Sequence, residues 1–309
     1  MSTLVVEGRA LTKRFGSFVA VDRLDLSVRE GECFGLLGSN GAGKTTTLRM
    51  VYGVAQPDSG RIAVFGMDVA REGRRVRGRL GVTLQENVLI DTLSPIENLR
   101  VFGRFHLLRE PLLSQRIARL IEEFELSSHA NVPAIALSGG FKRRLSIAMA
   151  LINEPSLIIL DEPTTGLDPA VRLVLWNKLR ELKSRGKTVL LTTHYMEEAE
   201  RLCERVMIMD HGRAVLEGAP KQLVAERLAR EVIELDCTVD DEQRLLAGVH
   251  GVKTLRAGPR LFVFDAEVAP LVERVKRLPR GEERAFVVRP ANLEDLFLAA
   301  TGTQLEGGA

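Results

Sequence analysis

One short run limits this chain more than any other feature. Gly38-Ser39-Asn40-Gly41-Ala42-Gly43-Lys44-Thr45 fits G-x-x-x-x-G-K-[ST], and it lies between an apolar strand expected at Cys33–Leu37 and a helix expected at Gly43–Tyr52. Glycines let a backbone curl until its amide N–H groups converge on a phosphate. The helix start adds free N–H groups and a positive dipole end. Lys44 supplies a point charge to the β- and γ-phosphates, and the Thr45 hydroxyl can face Mg²⁺. Thr46, next along, belongs to the same helix start. A glycine-rich turn that binds nothing would lack this strand-and-helix setting.

The rest of the first 220 residues keeps the same rhythm. Leu24–Val28, Arg61–Phe65, Leu80–Leu84, Leu157–Asp161, Thr188–Thr192 and Val206–Met209 read as strands. Pro95–His106, Ser114–Phe124, Ser138–Asn153, Pro169–Ser184 and Tyr195–Leu202 read as helices. Strands alternating with helices predict an α/β fold with a largely parallel sheet. A small antiparallel part is expected near the N-terminus, where strands follow one another with only turns between. After about residue 230 the texture changes. Glu231–Cys237, Asp240–Ala247, Val252–Arg256, Leu261–Phe264, Glu267–Leu278 and Ala285–Val288 give the order β-α-β-β-α-β, the split βαβ unit. Asn292–Thr301 is expected as a closing helix, and Gly302–Ala309 as a frayed end.

Composition removes several classes. The 309 residues suit about two domains. Lys and Arg number 43 against 41 Asp and Glu, a net charge of +2, so the chain is no polybasic nucleic-acid binder. Arg71, Arg74, Arg75, Arg77 and Arg79 crowd one segment, but without interleaved aromatics they read as a solvated helix face. Three scattered cysteines exclude a disulfide scaffold and fit a reducing compartment. No signal-peptide pattern opens the chain, and no run of 18 apolar residues is present, so any membrane role is expected to pass through a partner.

Two further places carry chemistry. Leu157-Ile158-Ile159-Leu160-Asp161-Glu162 is an apolar strand ending in two acids. Ligands of parallel sheets bind at the carboxyl ends of the strands, which sets Asp161 at the same edge as Lys44. Asp161 could hold Mg²⁺ there, and Glu162 could orient an attacking water as general base. The plain alternative is an acid pair capping a helix. Leu137-Ser138-Gly139-Gly140-Phe141-Lys142-Arg143-Arg144 then offers a second helix start followed by basic side chains. The two starts either grip one phosphate group or serve different nucleotides, and residue chemistry alone leaves both open.

Taken in order, Gly38–Thr45, Gln85, Leu137–Gly140, Asp161-Glu162, Gly166-Leu167-Asp168 and His194 resemble the motif set of the ATP-binding cassette (ABC) family: Walker A, Q-loop, signature, Walker B, D-loop and H-loop. The likeness spans roughly residues 4 to 220. Leu137–Arg144, Thr192–Ala199 and Asn292–Gly302 are similar to the ATPase subunits of ABC-2 exporters, in particular the nodulation protein I and drug-resistance groups. The resemblance implies a P-loop cassette at 1–228, with a mixed sheet core, a small antiparallel sheet and a helical subdomain at about 86–155. A small α+β region would follow at 229–309. It implies ATP and Mg²⁺, and a head-to-tail homodimer in which the Gly38–Thr45 loop of one copy faces the Ser138–Gly140 helix start of the other. It further implies that Phe15 stacks on adenine, that Gln85 touches Mg²⁺ and water, that His194 touches the γ-phosphate, and that Asp168 links the two sites. The partner it implies is an ABC-2 transmembrane permease, contacted through Glu86–Ile96, at the cytoplasmic face of the inner membrane.

Two departures stand out. Phe141 replaces a common Gln, and Phe15 replaces a commoner Tyr while keeping an apolar face. Rival readings fit less well. A P-loop kinase or GTPase needs neither Ser138–Gly140 nor His194. A chromosome or DNA-repair ATPase would carry a long coiled coil between Lys44 and Asp161, and the 117 residues of that interval hold no long heptad run. A ribosome-associated ABC factor would have two cassettes. An importer ATPase often ends in a β-rich barrel, whereas residues 231–290 read as mixed α/β.

Overall fold

The computed structural model describes residues 3–279 and 285–302. The chain divides into two compact units, the first ending at Leu216 and the second starting at Glu217.

The first unit opens with two long strands, β1 (Leu4–Phe15) and β2 (Phe18–Arg29), then β3 (Cys33–Leu37) and α1 (Lys44–Val51). Next come β4 (Ser59–Val64), β5 (Met67–Asp68), α2 (Val69–Arg77) and β6 (Leu80–Thr83). Helices α3 (Pro95–Phe105), α4 (Leu112–Glu123) and α5 (Gly139–Leu151) follow. The unit closes with β7 (Leu157–Asp161), α6 (Pro169–Ser184), β8 (Thr188–Thr193), α7 (Met196–Leu202), β9 (Arg205–Asp210) and most of β10 (Arg213–Gly218), whose last two residues fall past the boundary.

Two sheets result. Four strands form an antiparallel sheet of order β2-β1-β4-β5, and six form the order β10-β9-β3-β8-β7-β6. Neighbours from β9 through β6 run parallel. Strands β3, β7 and β8 are buried along their whole length, which is why β3 and the Leu157–Leu160 stretch of β7 read as unbroken apolar runs, while β8 holds Val189–Leu191 between threonines. Leu11, Leu24 and Leu26 of the antiparallel sheet join Leu48 and Met50 of α1, and Phe34, Ile159 and Met207 of the large sheet, in one core cluster. Burying each such leucine contributes about 1.5–3 kcal/mol.

Register is what assembles the site. Leu37 pairs with Thr193, Thr192 with Asp161, and Thr83 with Leu160, so the ends of β3, β8, β7 and β6 reach one sheet edge together.

The second unit holds α8 (Pro220–Arg227), β11 (Glu231–Asp236), α9 (Val239–Leu246), β12 (Lys253–Ala257) and β13 (Arg260–Asp265). It ends with α10 (Ala269–Lys276), β14 (Phe286–Pro290) and α11 (Leu293–Thr301). Its sheet has the order β12-β13-β11-β14 with antiparallel neighbours. Each β-α-β pair therefore encloses one strand of the other pair, the split arrangement expected from the sequence. Val232, Phe262, Phe264 and Leu298 form the core on one face of this sheet, and Ile233, Leu235, Leu261 and Val263 that on the other. Arg289 grips both carboxylate oxygens of the buried Asp295 at 2.7 Å, tying α11 to β14. The frayed end expected at Gly302–Ala309 lies, from residue 303 on, outside the described residues. Cys33 and Cys203 in the first unit and Cys237 in the second are free and buried, with 3.8 Å between the first two sulfurs.

Candidate active site

The turn after β3 makes the phosphate loop. Gly43 caps α1 at φ 100°, and a Cβ there would stand 2.4 Å from the Ala20 carbonyl, so only glycine fits. The Lys44 side chain folds back into the loop. Its ammonium donates to the Gly38 and Ser39 carbonyls at 2.7 and 3.2 Å and pairs with Glu162 at 3.3 Å. Ser39, Asn40, Gly41, Ala42, Gly43, Lys44, Thr45 and Thr46 surround a cavity of about 150 Å³ with Gln85, Glu162, Phe18 and Ala20. Residues expected from three separate motifs thus meet at one cavity.

Behind this cavity lies the carboxylate pair. Asp161 Oδ1 accepts from Thr45 Oγ1 at 3.1 Å and from Thr192 Oγ1 at 2.6 Å. The Thr192 hydroxyl in turn accepts from the Glu162 amide at 3.0 Å. Glu162 has φ 48°, the left-handed region, and that backbone turn directs its carboxylate away from Asp161 toward Lys44 and His194. Its Oε2 lies 2.7 Å from His194 Nδ1 and accepts from Thr165 Oγ1 at 3.0 Å. Burial pushes the Glu162 carboxyl up, but the His194 hydrogen bond and the Lys44 charge outweigh it and hold the group below its ordinary value. The imidazole of His194 stacks at 4.2 Å on Tyr195, which Arg172 covers from 4.2 Å.

The Thr45 hydroxyl and the Asp161 carboxylate are hard oxygen donors in contact, a set that suits Mg²⁺. Among the described residues no group of three His, Cys, Asp or Glu could hold a metal ion alone. Mg²⁺ fits that pattern, since it is usually bound through one or two protein oxygens plus substrate phosphates and water.

Other expected residues stand apart from the cavity. Ser138 caps α5 by accepting from the Phe141 amide at 3.4 Å, with Gly139 and Gly140 in the first turn. Asp168 caps α6 through the Val171 amide at 3.2 Å. Phe15 closes β1, half-exposed, across a two-residue turn from Phe18. The sequence reading missed Phe18 as a lining residue. It also missed Thr192, whose only signal was a hydroxyl ending a buried strand. Two of the basic side chains that follow Ser138 face away from the helix start: Arg143 turns into the interior, and Arg144 pairs with Glu125 at 2.9 Å.

Comparisons with known proteins agree with this geometry. Residues 21–165 match the family described as ABC transporter, and residues 239–302 match the Nodulation factor export protein NodI, C-terminal domain. A Nod factor export ATP-binding protein I of Cupriavidus metallidurans is 44% identical over 98% of this chain and 99% of its own. A protein of the same name from Sinorhizobium fredii is 43% identical over 99% of this chain and 88% of its own. Among solved structures, an ATP-binding subunit of an ABC transporter aligns with a TM-score of 0.66 at 30% identity, covering 72% of this chain and 93% of that one. A dimeric ATP-binding cassette bound to ADP and Pi aligns with a TM-score of 0.64 at 27% identity, covering 69% of this chain and 98% of that one. No helix among the described residues is long and apolar enough to cross a membrane. The chain belongs to the ABC transporter family as an ATP-binding, ATP-hydrolysing subunit.

Proposed function

We propose that this chain powers export through an ABC-2 type permease at the cytoplasmic face of the inner membrane. ATP binds at the Gly38–Thr46 loop of one copy and is completed by Ser138, Gly139 and Gly140 of a second copy. The observation that carries this reading is the meeting of the phosphate loop, Gln85 and Glu162 at one cavity. In a single chain the Ser138 helix start is not part of that lining, which a site shared between two copies accounts for.

Lys44 gives its charge to the β- and γ-phosphates, exchanging the Gly38 and Ser39 carbonyls and Glu162 for phosphate oxygens. That exchange frees Glu162 to accept a proton from the attacking water. His194 holds Glu162 through Nδ1 and so leaves Nε2 to face the γ-phosphate. Thr45, Asp161 and Gln85 would hold Mg²⁺. Bound Mg²⁺ supplies charge neutralisation to the phosphates. Phe15 covers the adenine, and Asp168 reaches toward the second copy. Positioning and electrostatics carry the reaction, with no covalent intermediate on the protein.

The permease partner meets the segment 86–96. That segment borders a second, mostly apolar cavity of about 380 Å³ lined by Leu84, Glu86, Val88, Phe102, His106 and Met149. Export is the direction carried by the name of the nearly full-length relatives.

Glu162→Gln tests the core of this reading. Nucleotide binding should persist by titration calorimetry, while turnover falls about 10²–10⁴-fold. With ATP and Mg²⁺ present, sedimentation should show the variant as a dimer. Unchanged turnover would remove Glu162 from its role, and a persistent monomer would remove the shared site.

A further inference from the structure

Arg143 is 3% exposed, yet among the described residues no carboxylate pairs with it directly. Its guanidinium spends every N–H on one surface of the site. Nε donates to the Pro163 carbonyl at 2.7 Å. Nη2 donates to the Asp161 and Glu162 carbonyls, both at 2.9 Å. Nη1 donates to the Leu84 carbonyl at 2.6 Å, with the Gln85 carbonyl at 3.3 Å and Asn87 Oδ1 at 3.4 Å. Burial pushes this arginine down to about 10, with Glu198, Asp161 and Glu162 opposing the shift. A lysine, with three donors on one nitrogen, cannot span such a fan.

The fan joins three pieces of chain. Arg143 rides on α5, one turn past Ser138. The backbone of 161–163 carries the carboxylates, and 84–87 carries Gln85. Ser146, also on α5, adds a bond from its hydroxyl to Asn87 Oδ1 at 3.1 Å. The Glu162 backbone is left-handed and needs outside support to persist. Thr192 holds its amide from one side and Arg143 its carbonyl from the other.

We infer that Arg143 is a positioning residue for ATP hydrolysis: it locks the Glu162 carboxylate and the Gln85 loop to the helix that begins at Ser138, so that all three move as one piece. The inference rests on the roles proposed for Glu162 and Gln85. It makes hydrolysis sensitive to the seating of α5, whose first turn is the part offered to the second copy.

Arg143→Lys and Arg143→Gln test it in the full-length chain by steady-state ATP hydrolysis. Misplacing a reacting group by about 1 Å costs about 100-fold, and kcat should fall by that order. KM for ATP should stay within about twofold, because the phosphate loop is untouched. In the Glu162→Gln background, Arg143→Lys should remove little further single-turnover rate. A merely structural defect would lower both backgrounds by the same factor. Hydrogen exchange in the unmodified chain gives a readout that needs no variant to fold. The amides of 84–87 and 161–165 should open together, with one free energy.

Equal loss in both backgrounds, an unchanged kcat, or separate opening of the two segments would overturn the positioning role. Normal turnover in Glu162→Gln alone would instead overturn the reading of Glu162, leaving the tie itself to be judged by exchange.

Discussion

Glu162 and Glu198 are buried acids close enough for their charges to interact, and their surroundings push them in opposite directions. Glu162 sits between a lysine and a histidine and ionises easily. Glu198 lies on α7, where its Oε1 accepts from Thr164 Oγ1 at 2.8 Å and Trp176 Nε1 at 2.9 Å. Among the described residues no ion pair reaches Glu198 in this way. Burial raises its pKa, and the hydrogen bonds from Thr193, Trp176 and Thr164 offset only part of that rise. A raised carboxyl contributes stability that is fully present below its ordinary value of 4.5 and is lost as pH rises through the folded value. Glu198→Gln keeps the acceptor oxygen and removes the buried charge. It should raise the melting temperature at neutral pH and leave it nearly unchanged below pH 4.5, as thermal melts at both pH values would read. A lower melting temperature at neutral pH would show that the ionised form is the stabilising one.

Among single residues, Lys44, Thr45, Asp161 and Glu162 were legible because strand ends and a glycine loop advertise them. Thr192 and Arg143 were not. Thr192 matters through its cross-strand pairing with Asp161, which only register reveals. Arg143 read only as one of the basic side chains that follow a helix start, because a sequence does not show which way a helix faces.

At the scale of elements, the loop before α1 separates two demands on glycine. Gly41 has φ 84° with nothing near the place a Cβ would occupy, whereas at Gly43 a Cβ would meet the Ala20 carbonyl. Gly41→Ala should therefore pay only backbone strain, about 1–2 kcal/mol, and still bind ATP. Gly43→Ala should displace either the loop or β2 and abolish binding in the same titration. Equal affinity in the two variants would mean that the close approach to β2 is not needed.

The elements themselves were read unevenly. The fully buried β3 and β7 stood out as apolar runs, and β8 as three aliphatic residues between threonines. Of β2 only Leu24–Val28 was expected, and β1 was not read as a strand at all. Both strands carry exposed charged residues, and their pairing is broken by register shifts near Gly8 and Leu11. Short α8 buries only Pro220, Leu223 and Val224, too few to print a helical stripe. The split βαβ order of the second unit did emerge, because each of its β11 and β13 strands is apolar enough to read alone.

The whole molecule pairs a large α/β unit, whose chemistry is concentrated at one sheet edge, with a smaller α+β unit held by its own two-faced core. Its motifs made the first unit's purpose readable, because phosphate chemistry demands particular atoms at particular turns. The sequence of the second unit offered no such motif, and its fold was readable where its role was not.

The sealed thiols put a stopwatch inside each unit. Cys33 and Cys203 are 3% and 8% exposed, and Cys237 is 9% exposed. A maleimide pulse leaves all three unmarked until the surrounding core opens. Mass mapping after graded urea should find Cys237 alkylated first, since a smaller core holds its shape less firmly. Simultaneous marking would mean that the two units come apart as one.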